Sequence, residues 1–278
     1  MKAHELKDVL VTVKDVSLKF GDKLILKPTS AEVRNIVRPD CIQGQVVGIL
    51  GPSGIGKTQF SRILAGLQEP TTGEVLVNDL KTPPSMRRVS AGLVGVVFQN
   101  YPLFKHRTVL GNLLVALEHT KLSSAERRDK AVEYLTKFEL ADKASLFPAQ
   151  LSGGQCQRVA IIQELLCSEH YLVMDEPFTG LDPLMKDKVC ELIHKVATIH
   201  EANTIFVVAH DIAALISIAD CLWLFGRDRD EAGNPIPGAT IKAQFNLIER
   251  GLAWREDIST TREFADFVSE VKQHFKVL

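Results

Sequence analysis

Residues 46–58 constrain the fold of this chain more than any other stretch. An apolar run at 46–50 predicts a buried strand. The residues that follow have the spacing G-x-x-x-x-G-K-[ST] at Gly51, Gly56, Lys57 and Thr58. Glycines allow successive backbone N–H groups to converge on phosphate oxygens. A helix predicted over 57–67 would add its positive N-terminal end to the same cradle. The stretch therefore predicts a phosphate-binding loop, and the alternative is an ordinary glycine turn.

Two side chains of this loop complement a bound polyphosphate. Lys57 would supply a mobile positive charge for the β- and γ-phosphates, and the Thr58 hydroxyl would supply a ligand for Mg²⁺. These residue types, in this order after a strand, indicate a nucleotide that is bound together with Mg²⁺.

Composition argues against several other classes of protein. The 278 residues carry a formal net charge of −1, so charge gives no reason to expect nucleic acid or an anionic membrane surface as a partner. Five scattered cysteines without a C-x-x-C pair indicate free thiols in a reducing compartment. The N-terminal residues lack the apolar core of a signal peptide, and no apolar run approaches the roughly 18 residues that span a bilayer. We expect a cytoplasmic protein.

Apolar runs and helical periodicity alternate along the chain. Continuous apolar runs predict strands buried on both faces at 93–98, 171–176 and 204–209, and helices are predicted at 153–167 and 184–200. This alternation is typical of an α/β fold with a largely parallel sheet, whose ligands bind beyond the carboxyl ends of the strands. The polar residues predicted at that edge are Gln99, Asp175, Glu176 and His210.

Two segments predict additions to this α/β body. Residues 9–20 and 24–37 are rich in β-branched residues and predict antiparallel strands, the second of them broken by Pro28. Apolar residues at helical spacing from 108 to 147 predict a helical insertion. We expect this helical subdomain to span about 100–165.

The composition changes after residue 225. Residues 227–235 are charged and turn-forming, and they predict an exposed loop. A closing amphipathic helix follows, and its apolar stripe should pack on the α/β body: Phe264, Phe267, Val268, Val271 and Phe275. We therefore expect a main domain over 1–225 and a C-terminal extension over 226–278.

The four polar residues at the predicted sheet edge have distinct chemistry. Asp175, at the end of a strand and downstream of a phosphate loop, would hold the Mg²⁺ shell through water. Glu176 could polarise a water molecule in line with the γ-phosphate, as a general base. Gln99 leaves a buried strand near the same face, and His210 is placed to contact the γ-phosphate. The structural alternatives are, in the same order, a turn aspartate, a surface carboxylate, a capping amide and a core histidine.

The segment Leu-Ser-Gly-Gly-Gln at 151–155 predicts a second anion-binding site. Ser152 is a suitable N-cap, and two glycines open the helix that follows. One phosphate loop already serves one nucleotide, so a second phosphate clamp indicates that it acts on the nucleotide of another chain. The sequence therefore predicts a two-fold dimer with two composite sites.

These residues together resemble the ATP-binding cassette (ABC) ATPase family. The resemblance covers residues 9–225 and rests on six motifs in order: 51–58 (Walker A), Gln99 (Q-loop), 151–155 (ABC signature), 171–176 (Walker B with its glutamate), Leu181 and Asp182 (D-loop) and His210 (switch histidine). It implies an α/β fold with a RecA-like P-loop core, a mostly parallel sheet, an antiparallel β subdomain and an inserted helical subdomain.

The resemblance also implies a role for each matching residue. The residues expected to bind ATP are Phe20, Gly51, Ser53, Gly54, Gly56, Lys57, Thr58 and Gln59. Those expected in catalysis are Glu176, His210, Gln99 and Lys57, and those expected to hold the metal are Thr58, Gln99 and Asp175. The residues expected to grip the partner chain's ATP are Ser152, Gly153, Gly154 and Gln155, with Asp182 in the dimer contact. Phe20 would stack on adenine; its alternative is a core residue at a strand end.

The chain departs from the family's pattern in two segments and at two single residues. Residues 34–41 lengthen the β subdomain, and residues 162–164 replace a usual Ala-Arg-Ala. Gln59 stands where a second hydroxyl is usual, and Cys156 stands where an arginine is usual. Neither carries a catalytic role, so ATP hydrolysis should be retained.

The resemblance is to the energising subunit of a bacterial transporter, and the segment 101–117 is similar to importer cassettes. It implies an ATPase that closes as a head-to-tail dimer to power uptake of a small solute. Expected partners are a second copy or a homologous cassette and an integral membrane permease, with a solute-binding protein as a further candidate. The chain would be peripheral on the inner face of the membrane. The alternatives are a lipid-extracting or exporting ABC ATPase and a non-transport ABC ATPase.

Overall fold

The computed structural model describes residues 4–37, 43–78, 86–98, 102–168, 170–253, 255, 257–276 and 278. Over these residues the chain forms ten strands in one sheet and seven α-helices. The strands are β1 (Glu5–Phe20), β2 (Lys23–Val37), β3 (Gln45–Leu50), β4 (Thr72–Asn78), β5 (Met86–Arg88), β6 (Gly95–Val97), β7 (Tyr171–Asp175), β8 (Thr204–Ala209), β9 (Cys221–Arg229) and β10 (Pro235–Asn246). The helices are α1 (Lys57–Leu64), α2 (Val109–Ala116), α3 (Ser124–Lys137), α4 (Gly153–Ser168), α5 (Pro183–Ala197), α6 (Ile212–Ile218) and α7 (Arg262–Phe275).

The centre of the sheet is parallel. Strands follow the order β9-β3-β8-β7-β6, and each neighbouring pair in this run is parallel. Every residue of β3 and of β8 is buried, which is why both strands have continuous apolar sequences without alternation. The register pairs Leu50 with Ala209 and Asp175 with Val208, so β3, β8 and β7 end at the same edge. The predicted α/β class with a mostly parallel core is confirmed.

Beyond β9 the sheet continues in the order β10-β2-β1-β4-β5, in which every neighbouring pair is antiparallel except β10 and β2, which meet in parallel at Ala239 and Leu26. Strand β1 pairs antiparallel with both β2 and β4, as predicted for an antiparallel β subdomain. The predicted break at Pro28 is wrong: β2 runs through this residue, and its pairing with β1 shifts register between Val16 and Leu18. A β-bulge tolerates proline because one residue there leaves the hydrogen-bond ladder.

Helices cover both faces of the sheet. On one face, α1 packs Phe60 against Trp223 and Phe225 of β9, with ring centroids 6.4 and 4.8 Å apart. On the other face, residues of α2 to α7 form one continuous apolar cluster with the sheet. Helices α2 and α3 form the predicted helical insertion, and Ser123 caps α3 in a reciprocal capping box with Glu126.

The C-terminal part differs from the sequence prediction. The exposed loop predicted for 227–235 is shorter than expected: β9 continues to Arg229 and β10 begins at Pro235, so only residues 230–234 form the exposed turn of a hairpin. Residues 225 and 226, where we expected an extension to begin, are consecutive residues within β9. Asp228 explains why a charged segment extends as a strand: its carboxylate lies 2.5 Å from Lys27 Nζ and 2.6 Å from Lys242 Nζ, on the neighbouring strands β2 and β10.

Helix α7 closes the chain. Its stripe residues Phe264, Phe267 and Val271 are buried in the apolar cluster that covers the face of α2 to α6. Thr261 caps the helix by accepting a hydrogen bond from Phe264 N. The hairpin and α7 therefore share a sheet and a core with the P-loop strand.

Phe60 fixes α1 to the sheet, because it is fully buried between this helix and β9. We expect Phe60→Ala to lower the free energy of unfolding by about 3–5 kcal/mol, through lost burial and the cavity left behind. Val132→Ala, at a 40 % exposed position of α3, is the control and should change it by less than about 0.5 kcal/mol. Chemical denaturation of both variants measures this difference, and equal unfolding curves would contradict the packing described.

Candidate functional site

The loop between β3 and α1 forms a backbone cradle at the carboxyl edge of the sheet. Gly54 and Gly56 both have left-handed backbones, with φ of 72° and 113°. Gly56 is the N-cap of α1, and a Cβ there would lie 3.1 Å from the Ile25 side chain. A Cβ at Gly51 would lie 2.8 Å from the carbonyl oxygen of Phe225. Glycine is required at these positions by conformation or by close approach, and the N-terminal end of α1 is thereby left open to an anion.

Lys57 lies inside this cradle and is only 5 % exposed. Its ammonium group donates hydrogen bonds to the carbonyl oxygens of Gly51 (2.8 Å) and Pro52 (3.1 Å). Burial lowers the pKa of Lys57, while the negative charges of Glu176 and Asp175 oppose that shift. The ammonium group is thus held on the loop, beside two carboxylates, where it can pass to a phosphate oxygen.

Asp175 and Thr58 fit a divalent cation. Asp175 Oδ1 is buried and has no hydrogen-bond partner. Burial raises the pKa of Asp175. A hydrogen bond from the Thr58 hydroxyl lowers it, and the negative charge of Glu176 raises it further. The described residues contain no group of three or more His, Cys, Asp or Glu side chains that could hold a metal. One hydroxyl and one carboxylate suit Mg²⁺, which keeps water and phosphate oxygens as its other ligands.

Glu176 and His210 are in direct contact. His210 Nδ1 lies 2.7 Å from Glu176 Oε2, and the tautomer that carries a proton on Nδ1 donates to the carboxylate. The hydroxyl of Thr179 donates to the same oxygen at 3.1 Å. Glu176 has a left-handed backbone with φ of 54°, and its N–H donates to the carbonyl oxygen of Val208 on β8. The backbone of β8 therefore orients the carboxylate, and the imidazole holds it.

The other residues predicted around the P-loop lie in different surroundings. Phe20 is 49 % exposed at the turn between β1 and β2. Ser53 is exposed on the loop, and Gln59 Oε1 is buried without a hydrogen-bond partner. Gln99 lies outside the described residues. The exposed face of Phe20 is available for stacking on a planar ring.

The predicted second anion site opens α4. Ser152 Oγ accepts a hydrogen bond from Gln155 N (3.3 Å), and Gln155 Oε1 accepts one from Ser152 N (2.9 Å). Gln155 is thus the reciprocal partner in a capping box, a role that the spacing S-x-x-Q could have indicated. A Cβ at Gly153 would meet no atom within 4 Å, so the helix end is open.

A groove of about 710 Å³ lies beside this helix end, between α4 and α5. Gly153 and Gly154 line it on one side, and Met185 and Leu192 of α5 line it on the other. None of the described lining residues belongs to 51–58. Asp182, which was predicted in the dimer contact, is exposed and caps α5 by accepting a hydrogen bond from Met185 N at 3.1 Å.

Sequence reasoning missed two residues that fix His210. Asp211 follows it directly and caps α6 by accepting a hydrogen bond from Ala214 N. Its other carboxylate oxygen lies 2.5 Å from Lys186 Nζ of α5. Burial alone would raise the pKa of Asp211, but the hydrogen bonds from Lys186 and from Ala214 N, together with the positive charge of Lys186, lower it. The sequence analysis predicted no helix after His210, although an aspartate before an apolar run is a capping signal that could have indicated α6. The ion pair with α5 had no local signal.

Among the described residues, no helix combines the length and the apolar character that crossing a bilayer requires. The parallel sheet, the glycine loop and the lysine held on it define a P-loop nucleotide-binding protein of the α/β class.

Comparison with known proteins narrows this class. A family model described as ABC transporter matches residues 35–179. The chain is 36% identical over 218 residues to the L-cystine import ATP-binding protein TcyC of Bacillus subtilis, covering 76% of this chain and 84% of that protein. It is 34% identical over 261 residues to the glucose import ATP-binding protein GlcV of Saccharolobus solfataricus, covering 87% of this chain and 70% of that protein.

A solved structure has the same fold. The chain resembles cbiO1 from Clostridium perfringens, described as part of the ABC transporter complex cbiONQ, with a TM-score of 0.72 and 20% sequence identity over 97% of this chain and 100% of that chain. The family model and the import ATP-binding relatives show that the chain belongs to the ABC transporter family, as an ATPase subunit. The family and the RecA-like fold predicted from sequence are confirmed.

The backbone of Gly56 provides a test of the cradle. Gly56→Ala forces a Cβ into a left-handed conformation and against Ile25, so we expect a loss of about 1–2 kcal/mol in stability and a fall of roughly tenfold or more in ATP affinity. Gly92→Ala is the matched control, because Gly92 has φ of 92°, a Cβ added there would meet nothing within 4 Å, and the residue lies outside the loop. Gly92→Ala should lose similar stability and keep its ATP affinity, as measured by equilibrium titration; equal affinity losses would contradict a specific role for the loop.

Proposed function

We propose that two copies of this chain close head to tail on two ATP molecules and hydrolyse them, and that this cycle powers uptake of a small solute through a membrane permease. One observation carries the proposal. The chain has a phosphate cradle at the sheet edge and a second open helix end at Gly153, whose groove is lined by no described residue of 51–58. A clamp separate from the cradle is useful when it acts on the nucleotide of a second copy.

The side chains at the sheet edge suit phosphoryl transfer to water. Glu176 would act as the general base, since its carboxylate is oriented by His210 and Thr179 and remains partly exposed to solvent. Lys57 would move from the loop carbonyls to the β- and γ-phosphates. Mg²⁺, when bound by Thr58 and Asp175, would neutralise charge on the phosphate oxygens. Gln99 remains a proposed metal ligand, and Phe20 a proposed stacking surface for adenine.

ATP would close the dimer because only ATP carries a γ-phosphate for the partner's residues 152–154 to grip. A ligand shifts a conformational equilibrium only as far as its affinities for the two states differ. Moving an equilibrium from 1:99 to 99:1 requires about 5.5 kcal/mol, which two sites can supply together. Hydrolysis would remove the linking charge, and the dimer would open.

Coupling to transport is supported by the relatives and by the surface of the helical insertion. The curated relatives TcyC and GlcV are named as import ATP-binding proteins, which favours uptake over export. Phe104 is 42 % exposed just before α2 and would offer an apolar contact to a permease. The chain would then be cytoplasmic and peripheral on the membrane through that permease. Lipid extraction, export and a non-transport ATPase remain the alternatives.

Glu176→Gln tests the assignment of the base. The amide cannot accept the proton of water, so we expect ATP turnover to fall by about 10²–10⁴-fold while ATP affinity stays within about threefold. ATP should then hold the variant as a dimer that is seen by size-exclusion chromatography with light scattering. Turnover equal to that of the unaltered chain would reject Glu176 as the base.

A mixing experiment tests the composite site. Lys57→Ala removes the cradle's charge, and Gly153→Asp places a carboxylate at the open end of α4, where it would repel the γ-phosphate while leaving the helix well capped. Each variant alone should be inactive. An equimolar mixture should regain ATPase activity, because a mixed dimer contains one site with both an intact cradle and an intact clamp. A mixture no more active than its two components would rule out sharing of sites between copies.

A further inference from the structure

The β9–β10 hairpin projects past the end of the P-loop strand. Strand β9 is parallel to β3, and their last paired residues are Leu224 and Leu50. Strand β9 then continues for five residues to Arg229, about 16 Å further at roughly 3.3 Å per residue. The hairpin therefore rises from the same edge of the sheet at which the P-loop lies.

The hairpin is firmly anchored in this position. Asp228 joins it to β2 through Lys27 and to its own return strand through Lys242. The two lysines hold the pKa of Asp228 at about 2, first through the hydrogen bond from Lys242 and then through that from Lys27. Arg229 Nη1 donates to the carbonyl oxygen of Gly233 across the tip of the hairpin. A side chain carried by β9 here has a defined place relative to the loop.

A small cavity of about 180 Å³ separates the hairpin from the P-loop. Ser53, Gly54 and Ile55 line it from the loop, and Arg227 and Arg229 line it from β9. Arg229 Nη1 donates to the carbonyl oxygen of Gly233, and its Nη2 donates to a main-chain oxygen of Leu278, the last residue of the sequence, which also lines the cavity. For Arg227, in contrast, no side-chain hydrogen bond or ion pair is formed with any described residue, and its Nε is buried without a partner.

The chemistry of this cavity favours an anion. Apart from the main-chain end of Leu278, whose oxygen accepts a hydrogen bond from Arg229, no carboxyl group is among the described residues that line it. Two arginines line it opposite a loop that presents backbone N–H groups. Its volume accommodates one phosphate-sized group and is too small for a whole nucleotide. A buried guanidinium nitrogen without an acceptor is costly, so a ligand oxygen there would be strongly favoured.

The order of the strands indicates which phosphate group this would be. The order β2-β10-β9-β3 places the hairpin between the turn that carries Phe20 and the P-loop. A Cβ at Gly238, near the start of β10, would lie 2.7 Å from the Leu24 side chain, which shows how closely the hairpin approaches that turn. Glu176 lies on the opposite side of β3, beyond β8. A nucleotide whose base stacks on Phe20 and whose γ-phosphate lies near Glu176 passes the hairpin between these two points. The phosphate beside the hairpin is then the α-phosphate, which is the one closest to the base.

We propose that Arg227 is an additional nucleotide-binding residue, whose guanidinium group binds the α-phosphate of ATP and of ADP beside Ser53 and Gly54. This inference rests on the proposed function, because it takes the nucleotide to span from Phe20 to Glu176. It assigns to the β9–β10 hairpin a part in holding the nucleotide both before and after hydrolysis.

Equilibrium titration of the full chain with ATP and with ADP tests this assignment. Arg227→Ala should weaken both nucleotides by a similar factor of about tenfold or more, as expected for loss of a charge-assisted hydrogen bond. Arg227→Met keeps the aliphatic stem that packs in the cavity wall and should show the same loss, so a folding defect in the alanine variant would not obscure the result. Arg128→Ala removes one positive charge from an exposed position of α3 and should bind both nucleotides as the unaltered chain does.

Three outcomes would overturn the inference. Unchanged affinities in a folded Arg227→Met variant would show that the guanidinium group does not touch the nucleotide. A loss confined to ATP would place the contact at the γ-phosphate instead. Failure of the unaltered chain to bind ATP would overturn the proposed function and this inference with it, whereas the first two outcomes would leave the proposed function standing.

Discussion

The hydrogen-bond register of β3 between β8 and β9 is the constraint on which the rest of the structure depends. It sets where the glycine loop begins relative to the ends of the neighbouring strands. A slip of one residue would move the loop by about 3.3 Å relative to His210 and Glu176, which follow β8 and β7. The arrangement of the reactive groups is therefore a property of the backbone ladder, and the fully buried strands keep that ladder from shifting.

Much of the fold could be predicted because its signals are local. The buried strands at the centre of the sheet show as uninterrupted apolar runs, and the glycine loop shows as a fixed spacing. The capping box of Ser123 and Glu126 and the apolar stripe of α7 are likewise contained within single elements. Parallel strands whose ends share one edge then bring Asp175 and His210 together without any knowledge of side-chain geometry. The positions of the candidate site residues followed from this rule, while their contacts did not.

The features that the sequence did not predict depend on residues far apart in the chain. The charged residues of β9 are typical of a loop, and they extend as a strand because Lys27, 201 residues away, and Lys242 neutralise Asp228. Pro28 is accommodated by a bulge whose existence depends on the pairing of β2 with β1. The contact of His210 with Glu176 depends on an uncommon backbone conformation that no spacing reveals. In all three places the local structure is determined by contacts that exist only once the sheet has assembled.

At residue 176 the left-handed backbone favours glycine for stability, whereas the proposed catalytic role requires a carboxylate. A side chain in this conformation costs about 1–2 kcal/mol relative to glycine, so the residue best suited to the backbone is one that has no carboxylate. Substitutions selected only for stability would favour glycine at this position and would remove the proposed general base. If Glu176 is the proposed base, a glutamate that persists here in descendants of this chain records selection for that role over selection for stability.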